Sequence, residues 1–204
     1  MKTCIVICNG PSLNQIPDAL LNKYPTFGSN RIYLRYTPNY YACVNPLVID
    51  QYYNDINKMA CVKFIRSSLS HLVDNSIKLM SHGQFSFSLH PLEWIHEGYT
   101  VTYVLLQLAL AFGFQRVGLV GCDHRYIYDG KPNEQLTATG TDPNHFDGSY
   151  FSANAQWNAP DLARSEQSYR LARQVYADNM CEIVNLTYGT ALDVFEKESW
   201  MSWM

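Results

Sequence analysis

Three asparagines lie where buried strands of this sequence are predicted to end. Asn9 follows an apolar run, and Asn30 and Asn45 follow the next two short runs rich in β-branched and aromatic residues. An asparagine side chain offers an amide donor and a carbonyl acceptor, so three of them together favour a neutral hydrogen-bonding ligand such as a sugar or a nucleobase. Asparagine is also common in turns and helix caps, and this structural interpretation stays open for each residue taken alone.

The turn after the first predicted strand consists of Asn9, Gly10, Pro11 and Ser12. Gly10 permits a tight turn, Pro11 fixes φ, and the Ser12 hydroxyl is expected to cap a helix that begins at Leu13. The turn has one glycine where the dinucleotide fingerprint G-x-G-x-x-G has three, and no Walker lysine follows it. Such a turn can receive a phosphate or a ribose at the helix N-terminus.

These residues fit one architecture, which the hydrophobic pattern of the chain predicts. The predicted strands cover residues 3–8, 26–29, 40–44, 62–65, 117–120 and 181–184. The predicted helices cover residues 46–59, 102–111, 160–178 and 191–196, with a shorter one marked by Leu13, Ile16, Leu20 and Leu21. The alternation predicts a single α/β domain over residues 1–204, with a Rossmann-like, mostly parallel sheet and helices on both faces. Residues 67–96 show no clear pattern.

Residues 124–160 show no apolar period and are called the lid segment below. A long stretch without periodic structure inside a compact domain indicates either a functional lid or a disordered segment. His145 is the single histidine in its central part, with Asp142 and Asp147 close by in the sequence. The chemistry of this part of the chain therefore centres on one imidazole and its neighbouring carboxylates.

The composition excludes several classes of protein. Only 16% of the 204 residues are charged, against about 25% in an average soluble domain, while 47% are hydrophobic. Disorder is therefore excluded, and a pI near 6.0 argues against general nucleic-acid binding. The apolar run at residues 4–8 is too short for a signal-peptide core, so we expect a cytoplasmic protein with six reduced cysteines.

Five short motifs occur in a characteristic order. They are CNGPSL at residues 8–13, F-x-x-N at 27–30, VNP at 44–46, ALAFGF at 109–114 and VGLVGCD at 117–123. This order resembles the small bacterial sialyltransferases of lipo-oligosaccharide biosynthesis. It is also similar to the wider family around them, which contains motility accessory proteins and hydroxymethyl-dihydropterin diphosphokinases.

The sialyltransferase resemblance implies a nucleotide-activated donor, CMP-linked in that family, and a glycan or glycolipid acceptor. It implies no obligatory cofactor or metal, and the chain accordingly contains no D-x-D motif. The residues implied to bind the donor are Asn9, Gly10, Pro11, Ser12, Asn30, Asn45, Thr100, Thr102 and Asp123. The sequence departs from the family at residues 100–102, which read Thr-Val-Thr instead of Thr-Ser-Gly in the cytidine-binding turn.

The resemblance also implies the catalytic groups. His145 corresponds to a lid histidine that acts as general base, and either Asp142 or Asp147 could be its partner. Tyr126 and Tyr128 correspond to two tyrosines that hydrogen-bond the leaving phosphate, a task that the helix N-terminus at Leu13 could share.

Three alternatives stay open from the sequence. Asp123, His124 and His145 could form a metal site of two histidines and one carboxylate. A diphosphokinase would use Asp123 to hold Mg²⁺ and basic residues such as Arg125 around a triphosphate. The third alternative is a non-catalytic nucleotide-binding protein of the same fold.

The C-terminus carries Trp200, Met201, Trp203 and Met204. Large apolar residues at a chain end either fold back on the core, join a second copy of the chain, or contact a membrane at its inner face. The last two possibilities would make the protein a homo-oligomer or a peripheral membrane protein.

Overall fold

The computed structural model describes all 204 residues and contains ten β-strands and four α-helices. The strands are β1 (Thr3–Ile7), β2 (Thr26–Ser29), β3 (Tyr40–Cys43), β4 (Val62–Arg66), β5 (Ser76–Leu79), β6 (Arg116–Val120), β7 (Gln135–Thr137), β8 (Gln156–Asn158), β9 (Glu182–Asn185) and β10 (Glu196–Lys197). The α-helices are α1 (Asp18–Lys23), α2 (Pro46–Lys58), α3 (Val101–Ala111) and α4 (Leu162–Asp178), and 3₁₀ helices cover Pro11–Gln15, Ile32–Leu34, Ser67–Leu72 and Trp200–Trp203. None of these helices has the length and apolar character that a bilayer crossing requires.

Eight of the strands form one sheet in the order β10-β9-β6-β1-β2-β3-β4-β5. Every pairing in this sheet is parallel, which confirms the predicted α/β class. The chain runs outward from β1 to β5 and then crosses back to β6 on the other side of β1. The strand order therefore reverses between β1 and β6, and ligands of open parallel sheets bind in the crevice at such a switch point.

The residues of β1 alternate between two hydrophobic cores. Cys4 and Val6 lie in the core that α3 and α4 cover, whereas Ile5 and Ile7 lie in the core that α2 and the lid segment cover. Successive residues of a strand point to opposite faces, so the sheet is covered on both sides as predicted. A strand buried on both faces is apolar throughout, and this is why β1 was identifiable from its sequence.

Most predicted elements agree with the structure to within a few residues, and the exceptions have physical causes. The helix expected from Leu13 onward is two short helices, because Pro17 is the N-cap of α1 and separates them. The helix predicted at residues 191–196 is wrong, since Glu196 already belongs to β10. Strand β5 was missed because it is an edge strand with Ile77 41% exposed, so its sequence contains no apolar run.

The lid segment is more ordered than the sequence indicated. Strands β7 and β8 pair antiparallel, with Leu136 directly opposite Trp157. Phe146, Tyr150 and Phe151 are buried in the core on the α2 side of the sheet. The expectation of a structureless stretch is therefore corrected: aromatic side chains without a regular period anchor the segment to the sheet.

The C-terminal residues fold back on the protein through Trp203. Its side chain is buried, its indole N–H donates to Glu198 (2.9 Å), and the guanidinium of Arg116 lies 4.8 Å from the ring centroid. Of the three interpretations of this end, the structure shows packing on the core. Contact with a membrane or a second copy stays a prediction, which only exposed residues such as Met201 could support.

We expect Trp203→Ala to lower the free energy of unfolding by about 3–5 kcal/mol, because it removes a buried aromatic side chain and leaves a cavity. Urea denaturation followed by circular dichroism measures this change. Met201 is 67% exposed, so Met201→Ala is the matched control and should change stability by no more than about 0.5 kcal/mol. Equal losses in the two variants would contradict the packing role of Trp203.

Candidate active site

A cavity of about 680 Å³ opens at the carboxyl edge of the sheet, beside the crevice between β1 and β6. The predicted site residues in its lining are Asn9, Gly10, Asn30, Asn45, Thr100, Thr102, Asp123, Tyr126 and His145. Pro11, Ser12 and Tyr128 lie outside this lining. The volume falls within the range of about 300–1,000 Å³ that is typical of small-molecule sites.

Asp123 joins the end of β6 to the turn that follows β1. Its carboxylate accepts hydrogen bonds from the Ser12 hydroxyl (2.7 Å) and from the Ser12 backbone N–H (3.2 Å). The Gly10 N–H donates to the carbonyl of Gly121 (2.9 Å), which closes the turn against β6. A Cβ atom at position 10 would overlap the Asp123 carboxylate, so this close approach requires glycine.

This arrangement corrects two predictions. Ser12 does not cap the helix: the N-cap residue is Gly10, and the Ser12 hydroxyl binds Asp123 instead. A carboxylate already bonds the free N–H at the start of the 3₁₀ helix, so a phosphate placed there would meet a like charge. The start of this 3₁₀ helix is therefore not a favourable position for a phosphate group.

The side chain of Asn9 has a hydrogen-bonded amide nitrogen and an amide oxygen without a partner. Its Nδ2 donates to the carbonyl and the hydroxyl of Ser29, both at 3.3 Å. Its Oδ1 is buried and has no hydrogen-bond partner. A buried unpaired acceptor costs roughly 1–3 kcal/mol, so this oxygen marks a position where a donor group of a ligand would be stabilised.

Asn30 and Asn45 have structural roles in addition to their place in the cavity lining. Asn45 caps α2, because its Oδ1 accepts from the Leu47 N–H (3.0 Å). Asn30 has a φ of 52°, in the left-handed region that asparagine tolerates better than most residues, and its Oδ1 accepts from the Cys43 thiol (3.5 Å). Strand-ending asparagines thus have a structural role at these two positions. Only the side-chain oxygen of each is used, so the side-chain NH₂ group remains as a hydrogen-bond donor.

His145 and Asp142 form a hydrogen-bonded pair at the wall of the cavity. Nδ1 of His145 lies 2.7 Å from Oδ2 of Asp142, and both side chains are nearly buried. Asp147 is not the partner, because its carboxylate accepts from the N–H and hydroxyl of Ser149. Because the Asp142 carboxylate lies at Nδ1, it favours the imidazole tautomer in which Nδ1 is protonated. In that tautomer Nε2 of a neutral His145 has a free lone pair and can accept a proton.

Tyr150 holds the imidazole from a second side and was missed by the sequence analysis. The rings of His145 and Tyr150 stack with their centroids 3.8 Å apart and an interplanar angle of 5°. The Tyr150 hydroxyl accepts from the Arg31 backbone N–H (3.0 Å), and burial raises the pKa of the phenol well above its ordinary value. No sequence signal separates this residue from the other tyrosines of the chain, since the stack exists only in the folded lid segment.

Asp123, His124 and His145 do not converge on a common point. His124 has its own partner, Glu166 on α4, with Nε2 3.3 Å from Oε1, and Glu166 was not predicted. Asp123 and His145 are engaged by the other residues described above. No group of three histidine, cysteine, aspartate or glutamate side chains comes together in a way that could hold a metal ion. The donor set of the proposed metal site is therefore not assembled.

Tyr126 and Tyr128 contribute to different cavities. Tyr126 lines the main cavity, where its ring centroid lies 6.3 Å from that of His145. The residue is 37% exposed overall, yet burial of the phenol raises its pKa, so the hydroxyl remains a proton donor. Tyr128 donates its hydroxyl to the Pro160 carbonyl (3.2 Å) and lies in a second cavity. The prediction that both tyrosines reach one leaving group is corrected for Tyr128.

Thr100 and Thr102 lie in the lining at the start of α3, and the protein engages both hydroxyls. The Thr100 hydroxyl pairs with that of Tyr169 (3.2 Å), and the Thr102 hydroxyl lies 3.5 Å from the Cys8 thiol. All six cysteines are free thiols, and Cys8 is one of the four that are buried. The two threonines therefore shape this side of the cavity through its internal hydrogen bonds.

Arg125 is the cation of the cavity that remains available to an anionic group. The lining contains two arginines, Arg66 and Arg125, and no lysine. Arg66 is paired with Glu97 (3.0 Å), whereas Arg125 is exposed beside Tyr126 in the sequence. The lining thus contains one arginine without an ion-pair partner, Arg125, next to Tyr126 in the sequence.

No protein-family model matches this sequence, and no curated protein matches it at a significant level. Solved structures of sialyltransferases do match the fold. A variant of the sialyltransferase CST-II in complex with CMP has a TM-score of 0.56 at 15% identity, over 97% of this chain and 86% of that one. The sialyltransferase CstII from Campylobacter jejuni in complex with the substrate analogue CMP-3FNeuAc has a TM-score of 0.51 at 16% identity, over 98% and 86%. These likenesses establish a shared fold and give no support to the wider family of motility proteins and diphosphokinases.

We expect Gly10→Ala to reduce the free energy of unfolding by about 1–3 kcal/mol, because the new methyl group displaces the Asp123 carboxylate from Ser12. Gly148→Ala is the matched control, since nothing lies within 4 Å of a Cβ at that position. Chemical denaturation of both variants measures the difference. A Gly10→Ala protein as stable as the control would show that the turn does not depend on this contact.

We expect acid to destabilise the protein through His124. Burial lowers its pKa below the ordinary 6.5, against the opposing effect of Glu166. Between the lowered native value and 6.5, the unfolded chain binds more protons than the native chain, so stability rises with pH through this window and is lost as the pH falls.

The measurement compares unfolding free energies at pH 7.5 and pH 5 for the wild type and His124→Asn. Asparagine accepts the φ of 55° at this position, so the substitution keeps the backbone conformation. We expect the free energy of unfolding to fall less on acidification in His124→Asn than in the wild type. The control variant His71→Asn, at an exposed position, should show the same fall as the wild type. Identical pH dependence in wild type and His124→Asn would refute this role.

Proposed function

We propose that this chain is a sialyltransferase-like glycosyltransferase that moves a sugar from a CMP-linked donor to a hydroxyl of a glycan. The observation that carries the proposal is the His145–Asp142 pair, which lies at a cavity of suitable size beside the switch point of the sheet. The fold is one that CMP-bound sialyltransferases share. The donor is a co-substrate, and the proposal includes no resident cofactor.

In this proposal His145 acts as the general base. Nε2 takes the proton of the acceptor hydroxyl while that oxygen forms a bond to the anomeric carbon of the donor sugar. The bond between the anomeric carbon and the phosphate oxygen breaks, and CMP leaves with the bonding electron pair. Asp142 stabilises the imidazolium that forms, and Tyr150 keeps the ring in place.

The leaving phosphate acquires negative charge, and the cavity offers two groups that stabilise it. Arg125 supplies a positive charge, and Tyr126 supplies a hydroxyl that stays protonated because burial raises its pKa. Asn9 Oδ1 is available to accept from a hydroxyl or an amine of the nucleotide or the sugar. Together these groups stabilise charge and orient the donor through protein side chains.

The diphosphokinase alternative lacks a supporting observation. Its Mg²⁺ would need the Asp123 carboxylate, which accepts the hydroxyl and the N–H of Ser12. Arg125 is also the single arginine of the lining without an ion-pair partner, and the lining contains no lysine, whereas a triphosphate needs several such cations. A binding protein without catalysis remains as an outcome of the experiments below.

We expect CMP and CMP-linked sugars to raise the melting temperature, because a ligand that binds only the folded chain stabilises it by mass action. A thermal-shift panel with CMP-, UDP- and GDP-linked sugars and ATP measures this selectivity. Stabilisation by a different nucleotide class would contradict the CMP assignment. Stabilisation by CMP-linked sugars without transfer to any glycan would favour the non-catalytic alternative.

We expect His145→Gln to lower kcat by about 10²- to 10⁴-fold, because glutamine cannot take the proton from the hydroxyl of the acceptor sugar. The stabilisation by CMP should be retained, since His145 acts on the acceptor. Asp142→Asn should lower kcat in the same direction by removing the partner of Nδ1. The matched control is His71→Gln, whose side chain is exposed outside the cavity lining. Unchanged kcat in His145→Gln would exclude it as the base.

A further inference from the structure

The lid segment contains a second cavity of about 470 Å³ that the proposed donor chemistry does not use. Strands β7 and β8 contribute Leu136 and Trp157 to its lining, and the chain before them contributes Tyr128. Leu136 and Trp157 are directly opposed in the two-stranded sheet, so their side chains lie on the same face. The β7–β8 pair thereby provides a fixed wall for this cavity.

Three aromatic side chains give this cavity the surface that a sugar ring packs against. The rings of Phe151 and Trp157 stack with centroids 5.9 Å apart, and Tyr128 meets Trp157 edge-on at 6.2 Å. Trp157 is half-buried, so its ring is held in place while part of it faces solvent. Aromatic rings combine a large apolar face with few rotatable bonds, and the C–H face of a sugar covers such a surface well.

The polar groups of the cavity define the charge of its ligand. Three threonines and two aspartates lie in the lining, and it contains no lysine, arginine or histidine. A ligand that carries a carboxylate or phosphate would meet Asp129 and Asp142 without a compensating cation. A neutral ligand with many hydroxyl groups would find a free acceptor in Asp129, since both oxygens of Asp142 are engaged by His145 and the Asn144 N–H, and both donors and acceptors in the threonines.

Asn144 and the His145–Asp142 pair lie between the two cavities. Asn144 lines both, and its side chain is fixed by hydrogen bonds to the N–H and carbonyl of Ile127 (2.6 and 2.9 Å). Asp142 lines the second cavity and binds His145, which lines the first. Phe151 also meets the His145 ring edge-on at 5.4 Å. A chain of sugars that presents a hydroxyl to His145 could therefore extend across Asn144.

We propose that the second cavity binds a neutral sugar of the acceptor glycan, adjacent to the sugar whose hydroxyl reacts at His145. That this sugar belongs to an acceptor rests on the proposed transferase function. The binding of a neutral sugar is inferred independently, from the geometry of Tyr128, Phe151 and Trp157. The cavity thus selects acceptors of two or more sugars with an uncharged unit at this position.

Direct binding tests the site without any need for turnover. Lactose serves as the neutral disaccharide probe, and saturation-transfer NMR with CMP present measures its Kd for the wild type and the variants. Trp157→Ala should weaken lactose binding about tenfold or more, while Trp157→Phe, which keeps an aromatic face, should retain part of it. Trp94→Ala is the matched control, because Trp94 is 45% exposed and lines neither cavity.

A second variant guards against a folding defect in Trp157→Ala. Asp129 is exposed and lines the cavity, so Asp129→Ala should fold normally and weaken lactose binding several-fold. No lactose binding to the wild type, or an unchanged Kd in both Trp157→Ala and Asp129→Ala, would overturn the assignment.

Transfer assays separate the two proposals. With active enzyme, Trp157→Ala should raise KM for lactose as acceptor toward the KM for galactose, its single-sugar counterpart. An equal rise of KM for both acceptors would overturn the assignment of an extended site. If lactose binds at Trp157 but no transfer occurs with any donor, the proposed transferase function fails while the neutral-sugar site remains.

Discussion

Parallel pairing of the main sheet is the constraint on which the candidate site depends. Because every pairing from β5 to β10 is parallel, the carboxyl ends of all eight strands lie along one edge, and the crossover connections cover both faces. The reversal of strand order between β1 and β6 then opens a crevice in which Asn9 and Asp123 lie close together. Asp123 uses this proximity structurally, by fixing the β1 turn through Ser12, whereas Asn9 keeps a buried amide oxygen without a hydrogen-bond partner.

The part of the lid segment around His145 is held against this edge by a short series of contacts. The Arg31 N–H, just after β2, binds the Tyr150 hydroxyl, and the Tyr150 ring stacks on the imidazole of His145. Asp142 fixes the same imidazole through Nδ1. Orientation of the proposed base is thus achieved with aromatic packing and one carboxylate. This gives a physical meaning to the composition, in which charged residues are few and tyrosines number 15: several of the tyrosines position other groups through their rings and hydroxyls.

The two cavities share Asn144 in their linings but differ in electrostatic character. The cavity at the strand ends contains Arg125 and Tyr126, whereas the cavity of the lid segment contains two aspartates, Asp129 and Asp142, and no basic residue. Such a division would keep an anionic donor and a neutral acceptor in separate places, with His145 between them. The order of the lid segment is essential to this division, since β7 and β8 carry Trp157 into the second cavity.

Local sequence signals were sufficient to predict several elements of the fold. The continuous apolar run predicted β1, Pro46 at the first position predicted the start of α2, and Gly113, with a φ of 79°, ends α3 as expected. The sequence also predicted that the partner of His145 is either Asp142 or Asp147. Three contacts became known only from the folded chain: Asp142 is that partner, Ser12 binds Asp123 over 111 positions of chain, and Tyr150 lies against His145. Helix and strand periods report which residues face a core, because they depend on a few neighbouring positions. They carry no information about which polar groups meet across the fold, since those contacts form between segments that are brought together only when the sheet and its covering layers pack.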